Sequence, residues 1–288
     1  TRNSKLETRN SKLETRNSIF KVIAMKSLLA AALSLCFLTA CNTSPTGRSQ
    51  VILFSNSQMS QMGVESFEQM KSEMTISTNK ALTEFVQCVA DQITPNVDKS
   101  AHAGDWEVVL FDSPQINAFA LPGGKIGFYT GILNITENQD QVAAIMGHEV
   151  GHVIANHSNE RMSSGSLAQS AQKVAGALAA GQDESTQRAI STGVGVGLQY
   201  LVLLPYGRTH EKEADIIGQE LMAKSGFNPQ AAVALWRNMA KVSKSSPPEF
   251  ASTHPSHKTR IKKLTEHLKV TQPMYKASKQ KPNCVKPK

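Results

Sequence analysis

The chain has 288 residues, 40% hydrophobic and 19% charged, which supplies one sizeable core and excludes wholesale disorder. Its formal net charge of +8 is local, because residues 1–40 hold seven Lys/Arg against two Glu. The remainder carries only about +3, and no Lys/Arg run is interleaved with aromatics, so no nucleic-acid partner is expected.

TRNSKLE occurs at residues 1–7 and again at 8–14, and TRNS returns at 15–18. The repeat lacks apolar a/d positions and is too short to stack as a solenoid. Residues 1–24 therefore read as non-native sequence translated ahead of a start at Met25. From there Lys26 supplies a positive n-region and residues 27–38 a short apolar run. That run is shorter than the about 20 residues a spanning helix needs, and residues 25–40 have signal-peptide proportions. Leu38-Thr39-Ala40-Cys41 resembles the bacterial lipobox, which implies lipidation at Cys41. Asn42, rather than Asp, follows it, which implies a periplasmic chain held to the outer membrane without crossing it. Residues 41–58 open on the polar stretch NTSPTGRSQ (42–50) and read as a tether. Cys88 and Cys284 remain. An oxidising periplasm would permit a bridge between them, and two unrelated thiols are the other reading.

Apolar residues recur at helical spacing from Met59 to Met74 and from Lys80 to Ile93. WEVVLFD (106–112) is a strand. NAFALP (117–122) and KIGFYT (125–130) flank a Pro-Gly-Gly turn, a hairpin signal. Everything after Asn138 reads helical, interrupted by a glycine-rich stretch at 191–197, a new start at Pro205 and Gly207, and a loop at Ser245–Pro248. Asn228-Pro229 opens another helix. The fold class is α+β and predominantly helical, with a small sheet in the N-terminal half. The main domain spans 59–270, and the Lys/Pro-rich tail 271–288 is expected to be loose.

Residues 148–152 read His-Glu-Val-Gly-His inside the apolar segment QVAAIMGHEVGHVIANH. On a helix His148 and His152 lie one turn apart on one face, which suits two imidazoles on one tetrahedral zinc. Glu149 sits about 100° round the helix and can act as general base without ligating. Gly147 and Gly151 each cost about 1 kcal/mol in a helix relative to alanine. Something must therefore pack close there, a substrate strand or a neighbouring helix. His157 lies about 180° round from His148 on a continuous helix. It is expected to point away from the zinc and bond locally.

A third ligand is needed. Gly at 155 and His at 158 would fit the metzincin pattern, but Ala155 and Ser158 stand there. Downstream, Glu211-Lys212-Glu213-Ala214-Asp215 places Glu211 and Asp215 four apart on one helical face. Glu211 can ligate the metal, and Asp215 can bond the free nitrogen of a ligand histidine. Glu213 has no carboxylate one turn on and is the weaker candidate.

HEVGH followed by EKEAD resembles the gluzincin family of the CAAX prenyl endopeptidase and HtpX, in its soluble periplasmic branch. NAFALPGGKIGFYTGIL (117–133) and STHPSHKTRI (252–261) share in the resemblance, which covers roughly residues 60–268. It implies a zincin-like metallopeptidase domain with one Zn²⁺ on His148, His152 and Glu211, and Asp215 behind them. It implies that Asn117, Ala118, Phe119 and Ala120 form an edge that pairs with extended polypeptide substrates, largely through backbone bonds. His254 would approach the zinc, to stabilise an oxyanion or to hold the site shut, and Arg208 would stabilise the oxyanion or brace Asp215. The chain departs from the CAAX and HtpX branches in lacking long apolar spans, and it lacks tetratricopeptide repeats. The function expected is a lipid-anchored metalloendopeptidase acting on extended or misfolded envelope proteins. A non-catalytic zinc-containing assembly factor is the alternative. Glu149 argues for the enzyme, since a structural zinc needs no base.

Overall fold

A computed structural model describes residues 41–179, 183–186, 188, 204–242 and 257–287. The repeat, the signal segment, the glycine-rich stretch, the Ser245–Pro248 loop and His254 lie outside the described residues. The elements in chain order are β1 (Cys41–Thr43), β2 (Ser49–Val51), α1 (Asn56–Glu73), α2 (Lys80–Ile93), β3 (Glu107–Phe111), β4 (Ala118–Leu121), β5 (Lys125–Tyr129), the short α3 (Thr130–Leu133), α4 (Gln139–Ile154), α5 (His157–Ala179), α6 (Leu204–Lys224), α7 (Gln230–Val242) and α8 (His257–Ala277). The fold is α+β and predominantly helical, as its apolar periodicities imply.

Side-chain caps set the helix starts. Ser55 and Gln58 form a reciprocal capping box, so α1 begins three residues before its first apolar position, Met59. Asn79 and Asn138 cap α2 and α4 by accepting from Leu82 N and Gln141 N. The hairpin β4–β5 is antiparallel, and Gly123 and Gly124 in its turn hold positive φ of 88° and 72°, which glycine adopts without steric cost. β3 pairs with β5 in parallel, so the sheet order is β3-β5-β4 and β4 is an edge. Pleating divides the side chains. Leu110, Ala118, Ala120, Ile126 and Phe128 enter the main core with α2, α4, α6 and α7. Phe111, Phe119 and Tyr129 face α1 around the fully buried Phe67.

The glycines of α4 meet a helix. A Cβ on Gly147 would lie 2.7 Å from Gly218 O, and one on Gly151 would lie 2.9 Å from Ala214 O, both on α6. This seam lets the α4 and α6 backbones touch and brings residues 148, 152 and 211 within reach of one another. Gly151→Ala should push the helices apart and cost about 1–3 kcal/mol in chemical denaturation. A loss below about 0.5 kcal/mol would show that the seam tolerates a methyl group.

Two segments read as loose are ordered. Within the tether segment, β1 and β2 form an antiparallel hairpin whose Gln50 is buried and donates to Ala155 O at 2.7 Å. Local composition signals a loop, but Arg48 and Gln50 find partners more than 100 residues away. In the tail, α8 continues to Ala277, Cys284 is bonded to Cys88 with a Cα–Cα distance of 5.7 Å, and Lys286 Nζ donates to the Leu133 and Thr136 carbonyls. A covalent link and carbonyl capture fix residues that composition alone would leave free.

Candidate metal centre

α4 presents His148 and His152 toward α6, which presents Glu211. His148 Nε2 lies 3.1 Å from His152 Nε2 and 3.3 Å from Glu211 Oε2, and His152 Nε2 lies 3.4 Å from Glu211 Oε1. A tetrahedral zinc with bonds of about 2.0–2.1 Å sets donor–donor edges of about 3.3 Å. The two imidazoles and the carboxylate, whose oxygens each face one ring, thus come together at close to the spacing zinc requires, and this donor set suits that ion. His148 and Glu211 are buried while His152 is half-buried, so the site opens on the His152 side.

The far nitrogens of both rings are engaged. Asp215 Oδ1 lies 3.1 Å from His148 Nδ1, the contact that fixes a ligand histidine's orientation. Asp215 is itself held by Arg260, which donates Nε to Oδ2 at 2.7 Å and Nη2 to Oδ1 at 2.6 Å. Arg260 Nη1 sits 2.7 Å from Glu211 Oε2, and its guanidinium lies 3.5 Å above the Trp236 ring. Burial disfavours an ionised Asp215, but Arg260 and His148 outweigh it and hold the carboxyl below its ordinary range. Burial and the Arg260 charge oppose protonation of His148, yet Asp215 and Glu211 prevail and raise its pKa to about 9. Metal binding near neutral pH therefore displaces a proton.

His157 is not where a continuous helix would put it. α4 stops at Ile154, and Asn156 takes φ of 54°, a left-handed stop that asparagine tolerates. The chain turns there, and His157 Nδ1 comes back to 2.9 Å from His152 Nδ1. Its Nε2 lies 3.1 Å from Glu213 Oε2. His157 bonds locally, as expected, but on a residue of the metal site. Glu213 points into this second cluster. There His210 stacks on His157 at 4.3 Å between ring centroids, and its Nε2 lies 3.1 Å from Glu160 Oε2. Burial would raise Glu160, but His210, Arg48 and Gln50 bring its pKa down to about 2.

The other site residues are spread around this centre. Glu149 is buried beside His148 on α4. Asn117 precedes the edge strand, which carries Ala118, Phe119 and Ala120. Asn117 O accepts from Tyr129 N at 3.2 Å, so the alternation of the ladder turns the backbone polar groups of Ala118 and Ala120 outward. Arg208 is exposed, three residues ahead of Glu211. Cys41 begins β1. Arg260 and Arg48 carry no signal of their own in the sequence. Arg260 lies within STHPSHKTRI, but spacing does not say that its side chain reaches back to α6.

Fold and donor set together define a zinc metallopeptidase-type domain. Residues 77–268 match Peptidase family M48. The chain is 38% identical over 165 residues to "Mitochondrial metalloendopeptidase OMA1" of Schizosaccharomyces pombe, covering 57% of this chain and 47% of that protein. It is 31% identical over 245 residues to "Metalloendopeptidase OMA1, mitochondrial" of Danio rerio, covering 80% and 51%. It is 24% identical over 223 residues to "Beta-barrel assembly-enhancing protease" of Escherichia coli, covering 75% and 45%. The chain belongs to peptidase family M48. That family is zinc-dependent, so the expected cofactor agrees with both the family and the donors. The chain spans about half the length of the curated relatives it matches. Among the described residues no helix is long and apolar enough to cross a membrane.

Proposed function

We propose that the chain is a zinc-dependent metalloendopeptidase that cuts extended or misfolded polypeptides in the bacterial envelope, held there by lipid on Cys41. The observation that carries the catalytic reading is a three-donor centre with a further buried carboxylate, Glu149, on the same helix. Zinc held there supplies Lewis acidity toward a peptide carbonyl and toward water. Glu149 takes the proton of the attacking water and passes it to the leaving amine. His254 is assigned to the oxyanion or to holding the site shut, and Arg208 to the oxyanion, since Arg260 already braces Asp215. The outward backbone groups of Ala118 and Ala120 support strand-wise substrate pairing. A cleft of about 460 Å³ at the end of β4, lined by Met59, Met62, Gly63, Leu121, Pro122 and Met162, favours apolar substrate side chains beside that edge. The lipobox-like Leu38–Cys41 supports the anchor.

Chelation should lower degradation of unfolded casein to background, and zinc alone should restore it. A zinc-loaded protein that leaves casein and other unfolded polypeptides intact would instead support the non-catalytic assembly factor. Labelling cells with a fatty-acid analogue should mark the wild type and not Cys41→Ser; an unlabelled wild type would remove the anchor.

A further inference from the structure

The cluster under His152 is completed from outside the family-matched region. β1 and β2 precede residue 77, and the turn between them carries Arg48 and Thr46 inward. Arg48 donates Nη1 and Nη2 to the two oxygens of Glu160, each at 2.6 Å. It also donates Nε and Nη2 to Glu213 Oε2 at 3.1 and 3.0 Å. Thr46 Oγ1 donates to Glu213 Oε1 at 2.6 Å. Both carboxylates are almost wholly buried, and such groups hold a fixed geometry only when charge and hydrogen bonds satisfy them. Gln50 Nε2 donates to Glu160 Oε2 at 2.8 Å as well as to Ala155 O, the end of the metal-bearing helix α4.

Donor and acceptor roles along this chain of contacts leave one arrangement. With His152 Nε2 turned to the metal, its Nδ1 carries the hydrogen and donates to His157 Nδ1. The hydrogen of a neutral His157 then sits on Nε2 and donates to Glu213 Oε2. Glu213 accepts from Arg48 and Thr46 and has no hydrogen to give. We propose that the β1–β2 hairpin is a working part of the metal site. Arg48 fixes Glu213, Glu213 fixes His157, and His157 fixes the tautomer and ring orientation of His152. Arg48, Glu213 and His157 are positioning residues, and the hairpin is a clamp on the ligand that lies nearest the open side of the centre.

Two measurements test this. The first is zinc affinity by chelator competition, with the visible spectrum of the cobalt-substituted protein. Arg48→Ala should weaken zinc binding by about 10–100-fold and shift the cobalt bands, and Arg48→Lys should recover part of both. A folded Arg48→Ala protein with wild-type affinity and an unchanged cobalt spectrum would overturn the proposal. The second needs no variant and stands even if Arg48→Ala fails to fold. Imidazole ¹⁵N shifts of the zinc-loaded wild type should report hydrogen on Nδ1 of His152 and on Nε2 of His157. Hydrogen on Nδ1 of His157 would overturn the relay.

Discussion

Glu149→Gln is expected to lower kcat on an unfolded polypeptide by about 10²–10⁴-fold, the range a positioned proton-transfer group contributes. The amide keeps the volume and shape of the carboxylate at this buried position of α4 and one of its two accepting oxygens, so packing should survive. It cannot accept a proton from water. With His148, His152 and Glu211 as the proposed donors, zinc should remain at one equivalent with wild-type affinity, and the defect should fall on kcat rather than KM. Single-turnover assays with metal analysis on the same sample would check it. A metal-replete mutant with wild-type turnover would exclude Glu149 as the base.

The second large effect is structural. Arg260 is 1% exposed, forks onto Asp215, touches Glu211 and lies over Trp236. Arg260→Ala takes from two buried carboxylates the guanidinium that bonds both and leaves them beside the His148 ring. Breaking a buried pair from one side costs about 3–5 kcal/mol, so the metal-free variant should unfold at markedly lower urea than the wild type. Lysine restores charge but cannot reproduce the planar fork or the ring stacking, so Arg260→Lys should fall between. Added zinc should rescue Arg260→Ala in part, because the ion replaces the cation at Glu211 and leaves Asp215 facing only His148. A variant within about 1 kcal/mol of the wild type would show that Arg260 is not what holds α8 to the site.

What could be read from the sequence was local. His148 and His152 are four apart, so helix geometry alone puts them on one face, and the same holds for Glu211 and Asp215. Short apolar runs marked β3 and, around a Pro-Gly-Gly turn, the β4–β5 hairpin, and the glycines in α4 announced a close neighbour that proved to be α6. Three features were hidden for physical reasons. One left-handed residue, Asn156, invalidated the helical wheel for His157. Arg48 sits in a polar, proline-containing stretch, and its partners stand 112 and 165 positions away. The order of the tail depends on Cys284 finding Cys88, and on carbonyls at Leu133 and Thr136 that no side-chain pattern advertises.

The bond between Cys88 and Cys284 joins α2 to a point four residues from the last, across a sequence separation of 196. One backbone cut inside that interval, by a foreign protease or by the chain's own neighbours, would therefore release nothing. The two pieces would stay covalently joined and migrate together until a reductant was added. The fold is built so that a first nick between α4 and α6 leaves the two halves of the candidate metal centre in each other's company.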